Sequence, residues 1–162
     1  MQLNSKISPC LWFDNQAEAA AAFYTGIFRN SRILNTTHYS EAGQEIHGRA
    51  PGSVMTVEFE LDGMLFTALN GGPLFTFSEA ISFQVLCDNQ AEVDYFWDGL
   101  SAGGDEAAQQ CGWLKDRFGL SWQVVPKCLP ELLKHSDAEK SRRVTLAMFA
   151  MKKLDIAALE RA

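Results

Sequence analysis

Glu58 is the side chain whose setting most resembles that of a general base. It stands in the run Val54-Met55-Thr56-Val57-Glu58-Phe59-Glu60-Leu61. Period-two alternation puts Met55, Val57, Phe59 and Leu61 on one side of a strand and Thr56, Glu58 and Glu60 on the other. On the inner face of a cleft Glu58 is a usable base; on an open face it is an ordinary solvated carboxylate. His38 and His47 flank or occupy the glycine- and proline-rich stretch 41–52. No Asp, Ser or Cys stands at a spacing that makes a relay with either, so both read as surface residues. Cys111, beside Gly112 and Trp113, is the thiol best placed for a pocket, with a plain strand residue as the other reading. Trp12, Phe83 and Trp113 offer an aromatic wall to a flat ligand, or sit in the core as large aromatics in strands commonly do.

The elements that must position these groups come in two copies. Asp14-Asn15-Gln16-Ala17-Glu18 returns letter for letter as Asp88-Asn89-Gln90-Ala91-Glu92. Each copy follows an apolar run (Leu11-Trp12-Phe13 and Val85-Leu86-Cys87). Each precedes an aromatic pair and a glycine (Phe23-Tyr24-Thr25-Gly26-Ile27 and Phe96-Trp97-Asp98-Gly99-Leu100). Gly63-Met64-Leu65-Phe66-Thr67-Ala68-Leu69 is echoed by Gly119-Leu120-Ser121-Trp122-Gln123-Val124-Val125. A recurring order of this length marks a duplicated supersecondary module.

In the first copy, 7–13 reads as a strand with Ser8, Cys10 and Trp12 on one face. A helix follows, capped by Asn15 with Glu18 at its third position. Residues 32–39 and 54–61 read as strands, and Asp62-Gly63 as a tight hairpin into 64–69. The second copy predicts a strand over 80–87, a helix capped by Asn89 with Glu92, shorter strands around 109–115, and a strand over 120–125. Beyond Pro126 and Pro130 the tail is helical. Ser136 with Glu139 forms a capping box, Val144, Met148 and Met151 recur at helical spacing, and Asp155 opens a last short helix. The tail packs on its own domain or covers a neighbouring subunit.

The expected organisation is a single domain over 1–162, made of a module at 5–73, a module at 78–126 and a helical tail at 130–162. Its 162 residues suffice to bury a core, and 47% hydrophobic with 21% charged residues is an ordinary globular balance. Fourteen basic against 20 acidic residues leave −6, which argues against nucleic acid or an anionic membrane as partner. No apolar run approaches membrane-helix length, and residues 1–9 lack the apolar centre of a signal peptide. Cys10, Cys87, Cys111 and Cys128 show no C-x-x-C spacing and read as reduced thiols, so a cytoplasmic location is expected.

A duplicated βαβββ module with these helix boundaries resembles the vicinal oxygen chelate superfamily of glyoxalase I, extradiol dioxygenases and bleomycin-resistance proteins. Within it, Leu11-Trp12-Phe13-Asp14, Pro51-Gly52-Ser53-Val54-Met55, the stretch 75–83, Cys111-Gly112-Trp113-Leu114-Lys115-Asp116 and Asp155-Ile156-Ala157-Ala158-Leu159 are similar to the PhnB-like group. Members of that group often carry a demethylubiquinone methyltransferase name. The resemblance implies an α+β fold in which curled mixed sheets surround a cleft, followed by C-terminal helices, in a homodimer.

It also implies a place for a divalent metal, held in the superfamily's enzymes by a His, Gln or Glu from the first and last strand of each module. Carried onto this chain, those positions are Ser8, Thr67, Ser82 and Gln123. Neutral hydroxyls are weak ligands for such ions, so no metal or other cofactor is expected. The same four groups suit hydrogen bonding to a small organic molecule, in a cleft shared with Trp12, Trp113 and Cys111. No glycine-rich strand-to-helix turn supports methyl transfer, because Gly71-Gly72 runs into Pro73 and Gly103-Gly104 into an acidic loop. The expectation is a metal-independent small-molecule-binding protein of unassigned reaction. The alternative is a metal-dependent lyase, isomerase or dioxygenase using Glu58 or Gln123.

Overall fold

The computed structural model describes residues 6–162; residue 5, where the first module is expected to begin, lies outside them. The chain divides into two compact units, one ending at Thr76 and one spanning Phe77–Ala162. In the first unit, β1 (Cys10–Phe13) leads into α1 (Ala17–Ile27), then β2 (Ser31–His38), a one-turn α2 (Gln44–His47), β3 (Val54–Leu61) and β4 (Met64–Asn70). The strands form one mixed sheet in the order β1-β4-β3-β2, with β1 parallel to β4 and the other pairs antiparallel.

Strand alternation decides which side of this sheet is core. Leu11, Phe13, Val57, Phe59, Leu61, Phe66 and Ala68 are buried, and so are Ala17, Ala20, Ala21, Tyr24 and Ile27 on α1. The alanines let the helix approach closely, while the Tyr24 ring stacks on Phe59 at 6.1 Å and Phe59 on Phe66 at 5.3 Å. The hairpin between β3 and β4 turns at Asp62 and Gly63, both at positive φ (47° and 82°), as a two-residue turn with the sheet's twist requires.

The start of α1 departs from the sequence reading. Its N-cap is Gln16, and no side chain of the Asp14–Glu18 stretch caps it. The Ala17 amide instead donates to Asn70 Oδ1 at 2.8 Å, and Asn70 Nδ2 donates to Val54 O at 3.1 Å. Asn70 is 6% exposed, so its amide has to find protein partners, and the orphan donor of α1 is one of them. The last residue of the sheet thereby caps the first helix.

The second unit runs β5 (Phe83–Cys87), α3 (Gln90–Ser101), a 3-10 turn (Glu106–Ala108), β6 (Trp113–Lys115), β7 (Ser121–Pro126), α4 (Leu129–Leu133), α5 (Ala138–Phe149) and α6 (Ile156–Arg161). Its sheet has the order β5-β7-β6, one strand narrower than the first. The stretch expected as strands around 109–115 enters the ladder only at Trp113–Lys115, with a single bridge from Gln110 to Trp113. Ahead of it Asp105 caps the 3-10 turn through the Ala107 amide (2.9 Å), which diverts the chain from an extended path. Here the repeated pentapeptide behaves as the sequence predicts. Asn89 Oδ1 accepts from the Glu92 amide at 3.0 Å, and Glu92 Oε2 accepts from the Asp88 amide at 2.7 Å. The register explains the contrast: Phe13 lies beside Asn70, whereas Cys87 lies beside Pro126, which has no side-chain amide to offer.

The tail packs on its own unit. Leu129, Val144, Leu154 and Leu159 form a buried cluster against which Met148 and Met151 lie. Gln90 donates to Leu154 O (3.1 Å) and accepts from the Ile156 amide (2.9 Å), and Lys153 pairs with Asp94 at 2.8 Å. The cap of α5 is Asp137, not Ser136, and accepts from the Glu139 and Lys140 amides. Asp155 caps α6 through the Ala158 amide, as expected.

Asn70→Ala strands a buried donor and a part-buried acceptor and should cost about 3 kcal/mol in urea denaturation. Asn89→Ala should cost about 1 kcal/mol, and Asn15→Ala no more than about 0.5 kcal/mol. Equal losses at Asn15 and Asn70 would refute this assignment of the cap.

Candidate functional site

In the first unit one row of residues runs across all four strands of the sheet. Thr67 on β4 is paired with Cys10 on β1 and with Glu58 on β3, and Glu58 with Asn35 on β2. Glu58 is half-buried and Ser8 exposed, just ahead of β1. The Trp12 indole N–H donates to Gly72 O at 2.8 Å, and its ring lies so close over Gly71 that a Cβ there would come within 2.3 Å of it. The Phe75 ring meets Trp12 edge-on at 4.9 Å. Trp12 therefore clamps the chain where it leaves β4. The His47 ring lies tilted against that of Tyr39 at 4.5 Å and accepts from the Arg49 amide, and His38 is an exposed residue of β2.

The second unit gathers its share of the expected residues into one groove. Parallel pairing of β5 with β7 and antiparallel pairing of β6 with β7 set Gln84, Gln123 and Trp113 side by side. Gln123 Nε2 donates to Ser82 Oγ at 2.8 Å, and Gln84 Nε2 lies 3.4 Å from Gln123 Oε1. Two residues before Gln123, and so on the same face of β7, Ser121 is 1% exposed and its hydroxyl has no hydrogen-bond partner among the described residues. Val125 and Cys111 continue the wall past Gln123 and Trp113, and Leu133, Met148 and Phe149 of the tail stand opposite. The groove is open to solvent along one side and has a volume of about 460 Å³, within the range of small-molecule sites. Phe83, the third aromatic of the expected wall, packs against the buried Trp122 at 5.6 Å, on the other face of the sheet.

Cys111 reaches the groove from a strained backbone. It has φ 42° and Gly112 φ 88°, the two central residues of a turn in which Gln110 and Trp113 exchange backbone hydrogen bonds. The tail holds this turn: the Cys111 amide donates to Met151 O at 2.7 Å and the Gly112 amide to Lys152 O at 2.8 Å. Burial pushes the thiols of Cys10 and Cys111 up from their ordinary value. At Cys87, burial foremost and the Glu92 and Asp88 carboxylates after it carry the thiol up to about 12. These thiols are protonated at neutral pH and poor nucleophiles.

The superfamily's metal positions do not fit a divalent ion here. Ser82 and Gln123 bond to each other, Thr67 and Ser8 offer only hydroxyls, and no group of three or more His, Cys, Asp or Glu side chains among the described residues could hold a metal ion. Three contributors to the groove went unread in the sequence. Pro130 reads as the end of the repeat, although proline favours the first turn of a helix and marks α4. Lys134, just past α4, and Phe149, at the end of α5, are brought to the groove by long-range packing that periodicity does not report.

The profile of the 3-demethylubiquinone-9 3-methyltransferase family matches residues 5–125. Among solved structures, the PhnB protein of Bacillus cereus, which bears the same methyltransferase description, is 30% identical, with 75% of this chain covering 99% of that one at a TM-score of 0.65. The fosfomycin resistance protein FosX of Mesorhizobium loti shares the fold at 14% identity, with coverage of 83% and 100% and a TM-score of 0.56. FosX of Listeria monocytogenes, solved with Mn(II) and sulfate, shares it at 17% identity, with coverage of 82% and 98% and a TM-score of 0.52. No protein among those with curated descriptions matches. The fold is shared with these FosX proteins. This chain belongs to the PhnB-like, 3-demethylubiquinone-9 3-methyltransferase family.

Burial of Cys87 has a consequence for stability. Below pH 9.0, its ordinary value, the thiol keeps its proton in both folded and unfolded chains. As pH rises from there toward about 12 the unfolded chain loses the proton and the folded chain does not, so stability falls across that window. Urea denaturation between about pH 8 and pH 11 should show a shallower decline for Cys87→Ala than for the native chain. Parallel declines would contradict the burial effect.

Proposed function

We propose that this chain is a small-molecule-binding protein of the PhnB-like family, and that the groove of its second unit takes an oxygen-bearing organic ligand through amide and hydroxyl groups, without a metal ion. The observation that carries this reading is the row Ser82-Gln123-Gln84 beside Trp113. Its hydrogen-bonding groups are neutral, mutually oriented and set against an apolar wall. Such a row both donates to and accepts from a carbonyl or hydroxyl oxygen, and an aromatic face adds contact area.

Methyl transfer draws no support from the chain. Gly72 runs into Pro73, and Gly103-Gly104 precedes a 3-10 turn that is too short to present a row of backbone amides to a nucleotide. We also propose a homodimer in the cytoplasm. Exposed Leu74 and Phe75 supply an apolar stretch for the partner, and four unpaired cysteines suit a reducing compartment.

Inductively coupled plasma mass spectrometry after incubation with Ni²⁺, Mn²⁺, Fe²⁺ or Zn²⁺ and desalting should find far less than one ion per chain. In parallel, a ligand found by its rise in melting temperature should bind Gln123→Ala about tenfold more weakly. One tightly held ion per chain would overturn the metal-free reading and favour a metal-dependent lyase, isomerase or dioxygenase.

A further inference from the structure

The groove has two kinds of wall with different origins. One is the sheet face with Gln84, Gln123 and Trp113, inside the stretch matched by the family profile, which ends at residue 125. The other is built by Leu129, Leu133, Lys134, Met148 and Phe149, all beyond that stretch. Three quarters of this chain already span 99% of the Bacillus cereus relative. The second wall therefore lies beyond the stretch matched by the family profile, and it is held in place by its own core cluster and by the clamp on the Cys111-Gly112 turn.

The charge of the groove is as specific as its shape. Among the described residues no Asp or Glu lines it and Lys134 is its only lining cation, in a chain of net charge −6. The Lys134 ammonium makes no ion pair among the described residues, whereas Lys115, Lys127 and Lys153 are each paired with a carboxylate. An unpaired cation at the rim of an apolar slot complements an anionic head on an apolar body. Across the groove, the amides of Gln84 and Gln123 add neutral hydrogen-bonding capacity.

We infer that the groove selects an amphipathic organic monoanion, a carboxylate on an aryl or short aliphatic body, with Lys134 reading the charge and Phe149, Met148 and Leu133 holding the body. This rests on the small-molecule reading above and adds to it the ligand's charge and the part played by the tail. Lys134 and Phe149 are specificity-determining residues of the site, supplied by the tail rather than by the duplicated modules. Both are exposed, Phe149 to 56%, so their replacement leaves the fold intact.

The test compares 4-phenylbutyrate with 4-phenylbutanamide, which has the same body without the charge, by isothermal titration calorimetry on the full-length protein. The native chain should bind the carboxylate about fivefold tighter. Lys134→Gln should abolish that preference and leave the amide's affinity unchanged, and added salt should shrink it. Phe149→Ala and Gln123→Ala should each weaken both compounds. Equal affinity for the two compounds, with both weakened by Gln123→Ala, would overturn the anion inference while the small-molecule reading stands. Binding untouched by Phe149→Ala would overturn the tail's role. Binding of neither compound, or binding untouched by Gln123→Ala, would overturn the inference and the reading beneath it together.

Discussion

A carboxylate almost without access to water sets the geometry on which the groove depends. Asp116 is 2% exposed. Its Oδ1 accepts from the amides of Phe118 (2.8 Å) and Leu120 (3.1 Å), and its Oδ2 from the Trp122 indole N–H (2.8 Å). Charge-assisted bonds of this kind satisfy a buried anion that would otherwise be costly to keep from water. They also fix the turn 116–119 between β6 and β7 and pin the first residues of β7. Register follows from that turn, so that Lys115 lies beside Ser121 and Trp113 beside Gln123. A slip of one residue would send Gln123 into the core and bring Trp122 out into the groove. The chemistry of the site therefore rests on a turn that does not touch it.

The two copies of the pentapeptide show how duplicated sequence takes on different duties. In the first, Gln16 is exposed and the helix behind it is capped from across the sheet by Asn70. In the second, Asn89 and Glu92 cap the helix themselves, and Gln90 binds the tail through both ends of its amide. Identical residues diverge because their tertiary neighbours differ, Asn70 in one unit and Pro126 in the other. Each solution removes the same cost, that of unpaired backbone donors at a helix start.

What could be read from the sequence follows the same line. Repeats, alternation in 54–61 and the Asp62-Gly63 turn report short-range physics, and they led to the tandem α+β plan and to the faces of the strands. The core sides of β1, β3 and β4 and the Val144-Met148-Met151 stripe of the tail were legible for that reason. The source of the first helix cap was not, because the Asn70 side chain reaches it across more than fifty positions. Nor was the second wall of the groove. A helical stripe says which side of α5 is buried, but not that Phe149 and Lys134 end up opposite Gln123. Ser82 and Gln123 were legible only as metal positions carried over from the resembled superfamily, and Trp113 and Cys111 only as an aromatic residue and a thiol beside a glycine. Their partner Gln84 and the partnerless Ser121 emerge from the register of β5 and β7.

The central claim is that the second unit's sheet and tail together form the ligand site. Its most direct test is a two-dimensional ¹⁵N–¹H nuclear magnetic resonance titration of the labelled protein with 4-phenylbutyrate, following side-chain amide and indole signals. The account predicts progressive shifts for the Gln84 and Gln123 amides and the Trp113 indole, together with backbone shifts at Lys134 and Phe149, while the Trp12 indole stays in place. Shifts confined to Trp12, Thr67 and Glu58 would place binding on the first unit and contradict it.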